Sequence, residues 1–331
     1  MTETSEERTV VPAATNDVAD ETVASRRPII PARLVPFLAL IIVLAFFTLT
    51  AGTRFLSIEN WTFLLQQSAI IAIPAFGVTL VIIAGSIDLS VGAVVALTGV
   101  VSAVVATSYG PFIGMAAALV VGLIVGLVNG FAFSVLKVPS FMVTLGMLSV
   151  ARGLTIVVSD SQPIRVDETF QLIGRMPGIL ILFVVCYIGV TILLQYTTFG
   201  RQAVAIGGNE RVARLSGVPV TRLKVLLFVF AGFMAAIGGL VLTARVGAAT
   251  PTAASGFELT AITAVVLGGT PLTGGIGSMT NTVVGAFIIS ILLNGMVILG
   301  IPSEIQLIVQ GVVLVAAVYL SLERVKIGII K

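Results

Sequence analysis

The sequence predicts an all-α membrane protein of about ten transmembrane helices, with two glycine-broken segments and a faint internal repeat. Three observations predict it. First, 10% of the 331 residues are charged and 57% are hydrophobic, with a mean hydropathy of +1.15. Soluble domains carry about 25% charged residues, so this chain cannot cover itself with a hydrated surface and lipid is its solvent. Second, its apolar residues gather in ten stretches, near the length of roughly 20 residues that a bilayer-crossing helix needs. Third, the cations collect in a few connecting segments, which is the signature of membrane orientation.

Taken in order, residues 1–31 are polar, carry Pro12, Pro28 and Pro31 and show no apolar period; they read as a disordered cytoplasmic tail. The first apolar run begins only after Arg33, later than the core of a cleaved signal peptide would. Arg26, Arg27 and Arg33 therefore anchor the first span on the cytoplasmic side. The transmembrane domain occupies 32–323, with spans near 34–52, 62–84, 90–108, 112–135, 141–158, 177–196, 223–244, 257–270, 281–299 and 304–321, and 324–331 form a second cytoplasmic tail. Trp61 stands at the mouth of the second span, where an indole favours the headgroup region. With the amino terminus inside, 13 of the 18 Lys+Arg face the cytoplasm, Arg54, Arg165, Arg175 and Arg245 face outward, and Arg152 lies within the fifth span. That asymmetry supports ten spans with both termini cytoplasmic, because an odd number would put Arg324 to Lys331 on the wrong side.

Composition also excludes. The net charge is +3, but no Lys/Arg stripe interleaved with aromatics suggests nucleic acid. One cysteine, Cys186 in an apolar run, allows no disulfide within the chain, and histidine is absent. Ser–His chemistry and the commonest metal ligand go with it. An integral membrane enzyme would want clustered His, Cys or carboxylates, so no catalytic or metal-ligating set is expected.

The internal echo pairs Asn129-Gly130, followed by Val138-Pro139-Ser140, with Asn294-Gly295, followed by Ile301-Pro302-Ser303. Upstream in each half lies a broken segment, Ala84–Asp88 in one and Thr273–Ser278 in the other. Corresponding broken helices point to a transport pathway. In the first, Asp88 is the one carboxylate embedded between two spans. It reads either as a polar gate or substrate contact or as a helix cap for the opening turn of the third span. The second, Val266–Ser278, is glycine-rich but is no phosphate loop, since that motif needs a lysine and none occurs between 224 and 326. Its glycines serve tight turns and close helix contacts. Ser86, Asp88, Ser90, Asn129, Phe141, Thr144, Thr273 and Asn294 are the candidate pathway residues.

The stretch Phe199–Lys224 reads as a long cytoplasmic loop holding one short helix. Asn209 suits an amino-terminal cap and Glu210 complements the positive helix end. Ser216-Gly217 ends the helix and Pro219 forbids continuation. Val212 and Leu215 share an apolar edge beside Arg211 and Arg214. This is either a rigid element that receives a push from a motor domain or a plain basic loop obeying the charge rule.

Four ordered motifs carry a family resemblance. Gly85-Ser86-Ile87-Asp88-Leu89-Ser90-Val91-Gly92, the run Pro139–Met147, the loop Ala205–Glu210 with Arg214–Val218, and Gly268-Gly269-Thr270 with Gly274–Ser278 resemble the permeases of ATP-binding-cassette (ABC) monosaccharide importers of the ribose, xylose, arabinose and galactose group. The likeness covers residues 35–321. Ser86, where a second glycine is usual, and Arg211-Val212, where a smaller and less basic pair is expected, depart from the pattern. The resemblance implies a bacterial plasma (inner) membrane permease that binds no cofactor itself. Gly208, Asn209, Glu210, Arg211, Arg214, Leu215 and Gly217 would dock on a separate ABC ATP-binding subunit, which would use ATP and Mg. Two permease chains would form the pore, and an extracytoplasmic sugar-binding protein would deliver the small-molecule sugar. The alternatives are an ion-coupled secondary carrier, or an ABC permease for nucleosides or branched-chain amino acids.

Overall fold

The computed structural model describes residues 34–326, with side chains through Ser321. The tail expected at 1–31 lies outside the described residues; of the one expected at 324–331, residues 324–326 belong to the last helix and the rest lie outside the described residues. In chain order the elements are α1 (Val35–Ala51), the short α2 (Thr53–Leu56), α3 (Ile58–Ile83), α4 (Val91–Tyr109), α5 (Pro111–Ser134), α6 (Ser140–Val158), β1 (Ile164–Arg165), α7 (Glu168–Gln171), α8 (Gly178–Tyr196), α9 (Thr198–Gly208), α10 (Glu210–Leu215), α11 (Val220–Val246), β2 (Ala248–Ala249), α12 (Phe257–Leu267), α13 (Met279–Ile298) and α14 (Ser303–Lys326). Among the described residues eight helices are long and apolar enough to cross a membrane, and α1 and α12 are shorter apolar helices of 17 and 11 residues. Every expected span thus has its helix.

The boundaries follow local chemistry. Pro111 opens α5, where its missing N–H costs nothing, directly after Gly110 turns the chain at φ 85°. Ser57 starts α3 by accepting a hydrogen bond from the Asn60 amide at 3.2 Å. The second span consequently begins before Trp61 rather than at it, and Trp61 packs at 6.4 Å from Phe55.

The centre of the bundle is α3 with α11. From Ser68 to Ile83 every residue of α3 is buried, and α11 packs against α3, α4 and α5. The α5–α11 crossing is backbone on backbone: a Cβ on Gly122 would run into the Gly232 carbonyl, and one on Gly232 into the Gly122 carbonyl. Small residues that let helix backbones meet are the usual means of close packing in lipid.

The internal repeat is visible as a recurrence of packing partners. In the first half α4 packs on α5 and α6, and α5 on α11; in the second α12 packs on α13 and α14, and α13 on α3. Helices α3–α6 therefore correspond to α11–α14. Helix α3 ends where α11 begins, so the halves are inverted with respect to the membrane, a common transporter plan. This correspondence corrects one sequence reading. The break at 84–90 matches residues 247–256, between α11 and α12, and not the segment Thr273–Ser278.

Residues 247–256 fold back into the bundle. Their β2 pairs antiparallel with β1, Ile164 opposite Ala249. Farther along, Arg152 donates to the Ala253 carbonyl at 2.8 Å and the Ala254 carbonyl at 3.3 Å. Arg152 lies twelve residues into α6, about 18 Å along the helix, so the chain entering α12 packs against the interior of that helix and not against its end. Non-helical backbone survives there because a side chain satisfies it.

Candidate functional site

The end of the bundle that carries α10 brings three segments into backbone contact. The first is the break after α3. Gly85 turns at φ 72°, and the chain then runs through Ser86, Asp88 and Ser90, all buried. One Asp88 carboxylate oxygen accepts from the Ser90 amide at 2.8 Å and from the Ser90 hydroxyl at 2.6 Å. The Ser90 hydroxyl in turn accepts from the Asn129 amide group at 3.0 Å. Asp88 therefore does not cap α4 as expected: it closes a turn over Ser90, the residue just before the helix, and no side chain caps the helix's first turn. From outside, Ser140 at the start of α6 accepts from the Ile87 amide at 3.3 Å.

The second segment is the glycine-rich stretch between α12 and α13, which turns at Gly269, Gly274 and Gly275, with φ of 85°, 80° and 82°. The Gly275 amide donates to the Ile83 carbonyl at 2.8 Å, joining the two broken segments directly. The third is the end of α9. Gly207 sits on the same Ile83 carbonyl and on the Gly275 amide so closely that a Cβ there would overlap both. Three pieces of chain far apart in sequence share one carbonyl.

The segment read as a long loop is mostly helical. Helix α9 is capped by Thr197, whose hydroxyl accepts from Gly200 at 3.3 Å, and it leads into α10 through Asn209. The expected short helix is present with the expected caps: the Asn209 side chain accepts from the Val212 amide at 3.1 Å, and Gly217 turns at φ 83°. Glu210 is paired twice, with Arg214 at 2.8 Å and with Lys224 of α11 at 2.6 Å. Lys224 also lies 4.7 Å from the centre of the Phe133 ring. Glu210 thereby ties α10 to the bundle. Gly208, Arg211, Arg214, Val212 and Leu215 are exposed.

The hydrogen bond from Lys224, helped by Arg214, holds the Glu210 carboxyl below its ordinary value. A carboxylate depressed in the folded state stabilises above its unfolded pKa of about 4.3 and loses that contribution as pH falls through the lower folded value. Glu210→Gln should therefore lower thermal stability slightly at pH 7, by under about 1 kcal/mol for a partly exposed group. That difference should shrink as pH falls below about 4 in a thermal-shift series.

The sequence candidates divide. Asp88, Ser90 and Asn129 form one buried network, and Ser86 and Thr273 lie in the segments that meet at Ile83. Phe141 stands apart from them, half-exposed, in a wholly apolar cavity of about 360 Å³ with Ile87, Leu89, Leu272, Leu314 and Val318. Thr144 is buried and returns its hydroxyl to its own helix at the Ser140 carbonyl, 2.9 Å away. Asn294 is at the opposite end of the bundle, where it donates to the Asn60 side chain at 2.7 Å. Sequence reasoning missed Ser140, Gly207 and the Glu210–Lys224 pair. Gly207 and Ser140 both lie inside the motifs given above; Lys224, the partner of Glu210, left no such signal.

An inverted helical bundle with broken segments gathered at one end, under a capped surface helix, is the architecture of a membrane transport permease. Residues 60–318 match the family described as branched-chain amino acid transport system / permease component, and the chain belongs to that family. It is 40% identical over 301 residues to the ribose import permease protein RbsC of Bacillus subtilis, covering 88% of this chain and 93% of that one. The RbsC of Escherichia coli K12 is 38% identical over 312 residues, with coverage of 90% and 97%. The L-arabinose transport system permease protein AraH of the same strain is 39% identical over 292 residues, with coverage of 86% and 88%. No solved structure matches this chain.

Proposed function

We propose that the chain is the permease subunit of an ATP-driven importer for a monosaccharide, with pentoses such as ribose and L-arabinose the first to test. The similarity to ribose and arabinose permeases over nearly their whole length supports the substrate class. The observation that carries the mechanism is the junction at the Ile83 carbonyl, where the end of α9 rests on both broken segments. A separate ATP-binding subunit docks on the exposed face of α10 and hydrolyses MgATP. Its closure displaces α10, and Gly207 passes that displacement to Ile83 and Gly275. The breaks then reorient α4, α12 and α13, and the site opens to the opposite side of the membrane.

A second copy of the permease completes the pathway. Helices α6 and α14 are equivalent by the inversion, both leave outward faces open, and both line the apolar cavity around Phe141. An external sugar-binding protein delivers the ligand. The excess of Lys and Arg on the α10 side supports an orientation with that end and both termini in the cytoplasm.

The test is reconstitution in vesicles with an ATP-binding and a sugar-binding partner. Labelled ribose should accumulate only with ATP inside the coupled system. Accumulation by the chain alone on a proton or sodium gradient would make it a secondary carrier.

A further inference from the structure

The transport reading uses the outer face of α10 and leaves its inner side unexplained. There a cavity of about 190 Å³ opens between the α5–α6 turn and the corner of α10 and α11. Its wall includes Ser134, Lys137, Glu210, Arg214 and Lys224: three cations against one carboxylate, a net charge of +2. Two of the cations already share Glu210, whereas Lys137 is exposed and makes no ion pair among the described residues. Ser134 is 3% exposed, and its hydroxyl is buried without a hydrogen-bond partner. A buried hydroxyl with no partner calls for an explanation, and an ion that accepts its hydrogen bond is an ordinary one.

Lys137 takes a backbone shape that L residues avoid, with φ 62°, in the turn that forms one wall of the cavity. The surface beside it is apolar and open: Val135, Leu136 and Val138 are 45%, 61% and 37% exposed. Cations and a spare donor therefore sit beside an exposed apolar surface at one end of the helical bundle. Basic pockets between helices at that level take phospholipid headgroups.

We propose that this cavity binds a phosphate group, and that an anionic phospholipid from the adjoining leaflet supplies it. The phosphate oxygens accept from Lys137, from the Ser134 hydroxyl and from the Arg214 donors that Glu210 does not use, while the acyl chains lie along Leu136 and Val138. Bound there, the lipid bridges the α5–α6 turn to α10. This inference rests on the cavity alone and stands whether or not α10 receives an ATP-binding partner.

The experiment uses the purified full-length chain. Native mass spectrometry after exchange into equal amounts of phosphatidylglycerol and phosphatidylcholine should show one phosphatidylglycerol retained about tenfold in preference. Lys137→Glu should bring the preference close to unity, and Ser134→Ala should reduce it several-fold. Hydrogen exchange on the wild type, read at 134–138 and 210–214, covers the case in which a variant does not fold. Protection by phosphatidylglycerol vesicles assigns the lipid as source. Protection by inorganic phosphate but not by the vesicles assigns a soluble phosphate compound to the same site. Equal retention of the two lipids with no protection by either probe overturns the proposal, as does protection that appears only with a docked ATP-binding protein.

Discussion

Gly207→Ala is expected to cut ATP-driven uptake by at least about tenfold, and Gly208→Ala to leave it near wild type. The two glycines are adjacent at the end of α9 and both are helical, so intrinsic propensity favours alanine at each by up to about 1 kcal/mol. Their surroundings differ. A Cβ at 208 meets nothing within 4 Å, whereas one at 207 would overlap the Ile83 carbonyl and the Gly275 amide. Neither obstacle is the flexible tip of a side chain; both are backbone, and they are hydrogen-bonded to each other at 2.8 Å. Inserting a methyl group into such a contact costs about 1–3 kcal/mol, and it must part the two broken segments or lift α9 off them. Transport and thermal stability measured on the pair separate the junction from a general helix effect. Wild-type uptake by a folded Gly207→Ala protein would remove the junction from the mechanism.

The same junction shows what the sequence could and could not say. The spans were legible because an excess of apolar residues in windows near 20 has one physical outcome in lipid. The caps of α10 were legible because Asn209, Gly217 and Pro219 act on their own neighbours. Helix α9 was not. Its Gly200, Gly207 and Gly208 punctuate a short mixed segment and read as loop, yet two of them are small because another backbone is there: the Leu194 carbonyl at Gly200, and Ile83 with Gly275 at Gly207. Local sequence does not distinguish a glycine that turns from a glycine that touches. The same limit placed Asn294 with Asn129. The two share a local motif, but the inversion carries them to opposite ends of the bundle, which only packing reveals. Helix α12 was drawn three residues too long at its far end: it stops at Leu267, and the chain turns at Gly269 with φ 85°.

Replacing Arg211, Val212 and Leu215 together by serine should abolish stimulation of the ATP-binding partner while the permease stays folded. Val212 and Leu215 are 56% and 81% exposed, and none of the three side chains takes part in the Glu210 pairs or the Asn209 cap, which uses only the Val212 backbone amide. Exposed positions free of such ties change stability by within about 0.5 kcal/mol, so the melting temperature should hold. Docking is a different matter. A small apolar edge beside an arginine, kept rigid by Asn209 at one end and Gly217 at the other, is the part of α10 that faces outward, and truncating anchors of this kind costs an interface about 1–2 kcal/mol or more each. Loss of all three should lower partner-stimulated hydrolysis by well over tenfold. The variant also discriminates between the two readings of this segment. A basic loop that serves only to orient the chain needs its charges and has no use for Val212 and Leu215. Restoring Arg211 alone would then recover full stimulation, whereas a docking helix requires the apolar edge as well.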